Sequence, residues 1–146
     1  MKRFIWLACF VLLFGCADNH SNRNPYLSEV SFTKTINLNL PLYNNLTVAG
    51  NGVLINDDGA GIRGIIVINQ GFNTFLAWEA SCPNHAPSGC STMSVVGNIY
   101  CQCDCEDYRY NLYTGAIVDE TNDGNAYHNM LFYQTTVNGN ILTVSN

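Results

Sequence analysis

Seven cysteines and three histidines are the side chains with most chemistry to offer in this 146-residue chain, and they are unevenly placed. Cys82-Pro83-Asn84-His85, with Cys90 following, forms one group. Cys101-Gln102-Cys103-Asp104-Cys105-Glu106 forms a second. Thiolate and imidazole together suit zinc or iron, whereas the same thiols in an oxidising compartment pair as disulfides. A structural zinc site from Cys101, Cys103, Cys105 and His85 would lack the paired C-x-x-C knuckle that zinc modules use. Asp119-Glu120-Thr121-Asn122-Asp123-Gly124 has the opening of a calcium loop, but Met130 stands at its twelfth place where a bidentate Glu is required, so a polar turn accounts for it better. His20 and His128 have no second ligand at metal spacing. No Ser-His-Asp order, glycine-rich phosphate loop or paired catalytic carboxylates rises above chance, so an enzyme reading is the weakest.

The elements that must position these groups read as β-structure. From Val30 to Leu40 every even position except Lys34 is apolar, a period of two that Pro41 ends. Val53–Ile55 and Ile65–Ile68 are apolar runs separated by the turn Asp57-Asp58-Gly59, and Phe75–Trp78 follows a turn at Gln70-Gly71. Ser81 to Ser91 is irregular and rich in Cys, Pro and Gly; short strands are then expected at Ile99-Tyr100, Tyr110–Leu112 and Ala116–Val118. Leu131–Val137 and Ile141–Val144 flank Asn138-Gly139, the strongest short hairpin signal. No segment sustains a helical period. The expected class is all-β, a sandwich of short antiparallel strands in one domain.

Composition agrees. A chain that is 47% hydrophobic and only 12% charged is not a disordered polyelectrolyte, and a net charge of −5 offers no phosphate-neutralising surface, which excludes nucleic acid as a partner. At the N-terminus Lys2-Arg3 precede an apolar run from Phe4 to Phe14 that is too short for a membrane span. It ends in Leu13-Phe14-Gly15-Cys16, which resembles a bacterial lipobox with a bulky residue at Phe14. The expectation is a signal peptide over 1–15, an acylated Cys16 with a polar tether over 16–28, and a domain over 29–146. Acylation would tie the domain to the cell envelope, periplasm-facing or at the cell surface, with a membrane and an envelope or redox protein as partners. Cys9 leaves with the signal; five cysteines remain in the body of the chain.

The two cysteine groups resemble the cluster-binding loops of the Rieske iron–sulfur family. Cys82-Pro83-Asn84-His85 with Cys90 is similar to the first loop. Cys103-Asp104-Cys105-Glu106-Asp107-Tyr108-Arg109-Tyr110-Asn111-Leu112-Tyr113-Thr114-Gly115 runs without a gap against the second, C-P-C-H-G-x-x-F-D-L-x-T-G. The likeness covers roughly residues 53–144 and implies a Rieske-like sandwich with a small cysteine-loop subdomain, and electron transfer through a [2Fe–2S] cluster. By that likeness Cys82 and Cys103 match the thiolate ligands, and Cys90 and Cys105 match the disulfide joining the loops, Cys90 lying three residues late. The histidine positions hold Asn84 and Glu106. A rebuilt shell would be Cys82, Cys103, His85 and Cys101, with His85 one residue late. The stretch from Val118 to Asn129 also lacks the proline with which the family closes its pocket. The same likeness implies an alternative: a clusterless domain stapled by Cys82–Cys103 and Cys90–Cys105, acting as a binding or structural module, with Cys101 as the odd thiol, either buried and unreactive or paired with Cys103 or Cys105 instead.

Overall fold

In the computed structural model, residues 24–119 and 126–146 are described; the signal segment, Cys16 and the tether up to residue 23 lie outside them, as does most of the calcium-like loop. Nine strands are present among the described residues: β1 (Thr33–Asn37), β2 (Gly52–Ile55), β3 (Ile65–Gly71), β4 (Thr74–Glu79), β5 (Ser94–Val96), β6 (Tyr100–Gln102), β7 (Arg109–Asn111), β8 (Phe132–Asn138) and β9 (Ile141–Ser145). Six form a sheet in the order β1-β9-β8-β4-β3-β2, and β5-β6-β7 form a small second sheet. All pairings are antiparallel. Among the described residues no helix is long and apolar enough to cross a membrane.

Strands β3 and β4 explain how two cores coexist. Ile65-Ile66-Val67-Ile68 is uninterrupted apolar sequence because both faces are covered. Ile65 and Val67 point into a core with Ile36, Leu46, Phe75, Ala77, Tyr133, Leu142 and Val144. Ile66 and Ile68 point the other way, into a core with Trp78, Met93, Cys101, Tyr110 and Leu112. The first core lies within the large sheet; the second glues the small sheet to its back. Trp78 completes that joint by donating from Nε1 to the Leu112 carbonyl at 2.8 Å. Gly52 is needed at the seam: a Cβ there would sit 2.7 Å from a Leu112 methyl and 2.8 Å from the Asn98 carbonyl oxygen.

Five expectations need adjustment. After β1 the chain enters a 3-10 helix over Pro41–Thr47, which the strand pattern did not foretell; proline at its start carries no N–H that the helix would use. Ala116–Val118 makes one bridge, Tyr110 to Ile117, rather than a strand. In the last hairpin Asn138 pairs with Ile141, so the turn centres on Gly139-Asn140, one residue later than an Asn-Gly turn would; Gly139 takes the positive φ of 58°. The hairpin between β3 and β4 likewise turns on Phe72-Asn73, both at positive φ, beyond Gln70-Gly71. The end of the tether also belongs to the fold: Leu27 is buried, and Asn24 donates to the Pro83 carbonyl at 2.7 Å.

Candidate functional site

Strand β4 feeds the first cysteine loop directly. Its last residue, Glu79, is fully buried and holds the loop's base. Oε2 accepts from Ile62 N at 2.7 Å and from the Tyr133 hydroxyl at 2.6 Å; Oε1 accepts from Arg63 N at 2.9 Å and Ser81 N at 2.8 Å. A buried carboxylate so surrounded is satisfied, and it fixes the direction in which the chain leaves β4. Burial and the neighbouring carboxylate raise the Tyr133 hydroxyl pKa, so it stays protonated as donor. Beyond Glu79 the loop is pinched by Met93 N to Ala80 O at 2.7 Å and Cys82 N to Ser91 O at 2.8 Å, leaving residues 83–90 as its tip.

The second loop leaves β6 and re-enters at β7. Cys103 N donates to Tyr108 O, and Asp107 N donates to Cys103 O, both at 2.9 Å, with Asp107 at a φ of 60° to close the turn. The two tips meet. Cys82 is bonded to Cys103 with Cα atoms 5.6 Å apart, and Cys90 to Cys105 at 5.2 Å. The inner pair is fully buried, Cys105 is half-buried, and Cys90 is exposed. The ligand atoms of Cys82, His85, Cys103 and Cys105 all lie within 4.8 Å of one another.

His85 is turned inward instead of standing in solvent. Its Nδ1 lies 2.9 Å from the Ala86 carbonyl oxygen, which places a proton on Nδ1. Nε2 then faces Cys103 Sγ at 3.5 Å and Glu106 Oε2 at 3.7 Å. Glu106, at the second histidine position, is thus beside the histidine that sequence order displaced. Asn84, at the first, does different work. Its Nδ2 donates to the Tyr110 hydroxyl at 2.8 Å and the His128 carbonyl at 3.1 Å, and its Oδ1 accepts from His128 N at 2.7 Å. Every polar atom of that amide is engaged, so it ties the first loop to the chain before β8 and is not free to ligate.

Cys101 does not join the gathered donors; Cys105 takes its place. Cys101 lies on β6 facing the second core, with Sγ 3.8 Å from Met93 Sδ and 3.6 Å from Met130 Sδ. Burial pushes its thiol pKa up to about 12, which keeps it a neutral apolar group. It is the one free cysteine among the described residues. The strand ends between Cys101 and Cys103, so two residues that alternate onto one side are separated by the turn that lifts Cys103 to the tip.

Three participants carry no cysteine or histidine signal. Ser88 Oγ is 3.3 Å from Cys90 Sγ and 3.8 Å from Cys105 Sγ; with both sulfurs in a disulfide, only the hydroxyl can donate. Tyr110 supports Asn84, its hydroxyl pKa raised chiefly by burial. Glu79 could have been suspected as a lone charge closing the apolar run from Phe75.

The chemistry of these donors fits an iron–sulfur cluster in type: three sulfurs and one imidazole are what such iron accepts. They are available only once both disulfides are reduced, because thiolate is the ligand form. One family histidine position is committed elsewhere through Asn84.

No protein-family model matches the chain, and no curated protein matches it. Among solved structures it is similar to a nitrite reductase small subunit from Mycobacterium tuberculosis, described as putative and NADH-dependent, at 16% identity and a TM-score of 0.45, covering 81% of this chain and 97% of that one. It is similar to the plasma membrane Rieske protein PetC3 from Synechocystis at 20% identity and a TM-score of 0.47, covering 64% and 85%. It is also similar to the ferredoxin of carbazole 1,9a-dioxygenase from Nocardioides aromaticivorans at 18% identity and a TM-score of 0.44, covering 68% and 90%. Two cysteine-bearing loop tips face each other beside a three-stranded sheet, on the back of a six-stranded antiparallel sheet, which is the all-β fold with a small cysteine-loop subdomain that the likeness to the Rieske fold implied.

Proposed function

We propose that this chain is a redox module of the cell envelope, tethered through acylated Cys16, whose reactive centre is the group of Cys82, His85, Cys103 and Cys105. The observation that carries this reading is the convergence of those four ligand atoms, from two separate loops, within 4.8 Å of one another. Under reducing, iron-replete conditions these residues would hold a [2Fe–2S] cluster, which when bound supplies one-electron transfer to a redox protein partner. His85 replaces the imidazole missing at Asn84, and Cys105 replaces the one missing at Glu106. More thiolate and less imidazole lowers the potential relative to a two-histidine site. Anaerobic reduction followed by reconstitution with iron and sulfide tests it. Brown protein with an EPR signal on reduction and iron near two per chain is expected; colourless, iron-free protein overturns the cluster.

A second reading has its own observation in favour. Both cysteine pairs are within bonding distance as disulfides, and Asn84 knits the loops to the chain before β8 without any metal. In that form the domain is a stapled binding or structural module on the envelope. Its mark is protein whose intact mass falls short of the reduced mass by two hydrogens per bridge, and which melts lower in reductant.

A further inference from the structure

The two bridges differ in one respect that matters for sulfur chemistry. Cys90 is exposed and its partner Cys105 is half-buried, whereas Cys82 and Cys103 are wholly shielded. An external thiol can reach the outer bridge and not the inner one. Yet Cys105 Sγ lies within 4.8 Å of both inner sulfurs. Disulfide exchange depends on access, on which sulfur is attacked and on how well the departing sulfur is accommodated.

From this arrangement we infer that the two bridges form a thiol–disulfide relay, in which the outer Cys90–Cys105 bridge takes an electron pair from an external dithiol and passes it to the buried Cys82–Cys103 bridge. The dithiol's first thiolate attacks Cys90 Sγ; the Cys90–Cys105 bond breaks and Cys105 departs as thiolate. The Ser88 hydroxyl, 3.3 Å from Cys90 Sγ and 3.8 Å from Cys105 Sγ, donates to the departing sulfur. The dithiol's second thiol displaces Cys90, leaving the dithiol oxidised to a disulfide. Cys105 then attacks Cys82 Sγ, and Cys103 departs. Attack on Cys82 is preferred because a Cys103–Cys105 bond would close a tight ring across one intervening residue. Cys103 departs as a thiolate beside His85 Nε2, 3.5 Å away, and takes up one of the protons that the external dithiol released. Cys90 finally attacks Cys105, restoring the outer bridge and freeing Cys82. Two electrons and two protons have moved from the external dithiol to Cys82 and Cys103, and the same steps run backwards towards an oxidant. The partner class is therefore a protein or small molecule with a vicinal dithiol or disulfide.

The relay goes beyond the iron reading and is tested on chelator-treated, metal-free protein, so failed reconstitution leaves it untouched. The full chain is exposed to dithiothreitol for graded times, acid-quenched, alkylated and peptide-mapped by mass. In the wild type the inner bridge is expected to open promptly. In the double variant Cys90→Ser/Cys105→Ser its reduction should slow by about ten-fold or more, since a buried disulfide loses its intramolecular attacker. Ser88→Ala, which keeps both bridges, should slow opening of the outer bridge and, through it, of the inner one. The single variant Cys90→Ser should show a Cys82–Cys105 bond with Cys103 alkylatable, without added reductant. A Cys90→Ser protein that keeps Cys82–Cys103 intact, together with a double variant reduced at the wild-type rate, would overturn the relay. Should the variants not fold, the wild type still decides: an inner bridge that opens only on global unfolding, followed by circular dichroism, overturns it equally.

Discussion

The two sheets are held by different physics. In the six-stranded sheet, strands of four to seven residues and a continuous apolar core do the work; Ile36, Leu46, Ile65, Val67, Tyr133, Leu142 and Val144 are all fully buried. In the small sheet each strand has three residues, too few to bury a face of its own. It borrows the back of β3 and β4 for its core and relies on two disulfides, the Asn84 network and the Trp78 contact for order. The lesson is a division of labour. One half is held by burial alone, and the other adds cross-links to a core that it shares with the back of the first.

The sharpest way to break that division is at the residue serving both halves. Glu79→Ala orphans three backbone N–H groups and the Tyr133 hydroxyl in a buried site, and should cost about 3 kcal/mol or more in chemical denaturation. A loss under about 1 kcal/mol would show that water replaces the carboxylate. The inner staple comes next. Cys82→Ser/Cys103→Ser should destabilise by about 2–4 kcal/mol, with amide exchange rising in β5–β7 while β3, β8 and β9 stay protected. Uniform loss of protection would mean the halves are one cooperative unit.

Smaller effects sharpen the picture. Asn84→His offers two ring nitrogens to the Tyr110 hydroxyl and both His128 backbone groups, which three amide contacts now serve; a cost of about 1–2 kcal/mol is expected by thermal melting. Cys101 should resist iodoacetamide in the folded protein at pH 8, because its thiol, raised to about 12, supplies almost no thiolate, and should label once guanidinium unfolds the chain. Prompt labelling would mean that the second core opens readily. Least of all, Lys34→Ala removes the half-buried partner of the exposed Asp57, whose carboxyl the Lys34 ammonium holds below its usual pKa. A depressed pKa stabilises above the unfolded value and fades as pH falls through the folded one. The variant should therefore lose no more than about 0.5 kcal/mol at pH 7 and match the wild type once the medium is acid enough to protonate Asp57.

Much of the large sheet was legible because its residues obey local rules. The apolar run at Ile65–Ile68, the alternation around Ile36 and the turn glycine Gly139 each encode a strand or a reversal within a few residues. The cysteine loops were legible only by resemblance: their spacing matched a known pattern, while no periodicity marks residues 83–90. The inward turn of His85, the exchange of Cys101 for Cys105 and the role of Ser88 were not legible. Each depends on where one loop tip meets the other, a contact between residues 17 or more positions apart. Three-residue strands such as β5 carry too little pattern to announce themselves, and the 3-10 helix is set by packing of Tyr43 and Leu46 rather than by a helical period.

By itself, then, the order of residues determined the class of fold and the two cysteine groups, since alternation and turn chemistry are properties of short stretches. Tertiary structure decided which sulfurs solvent can touch, which donors gather at the loop tips, and what engages Asn84. Those outcomes follow from two loops being carried to one point by β4 and β6, and proximity in space is not written in any one of them.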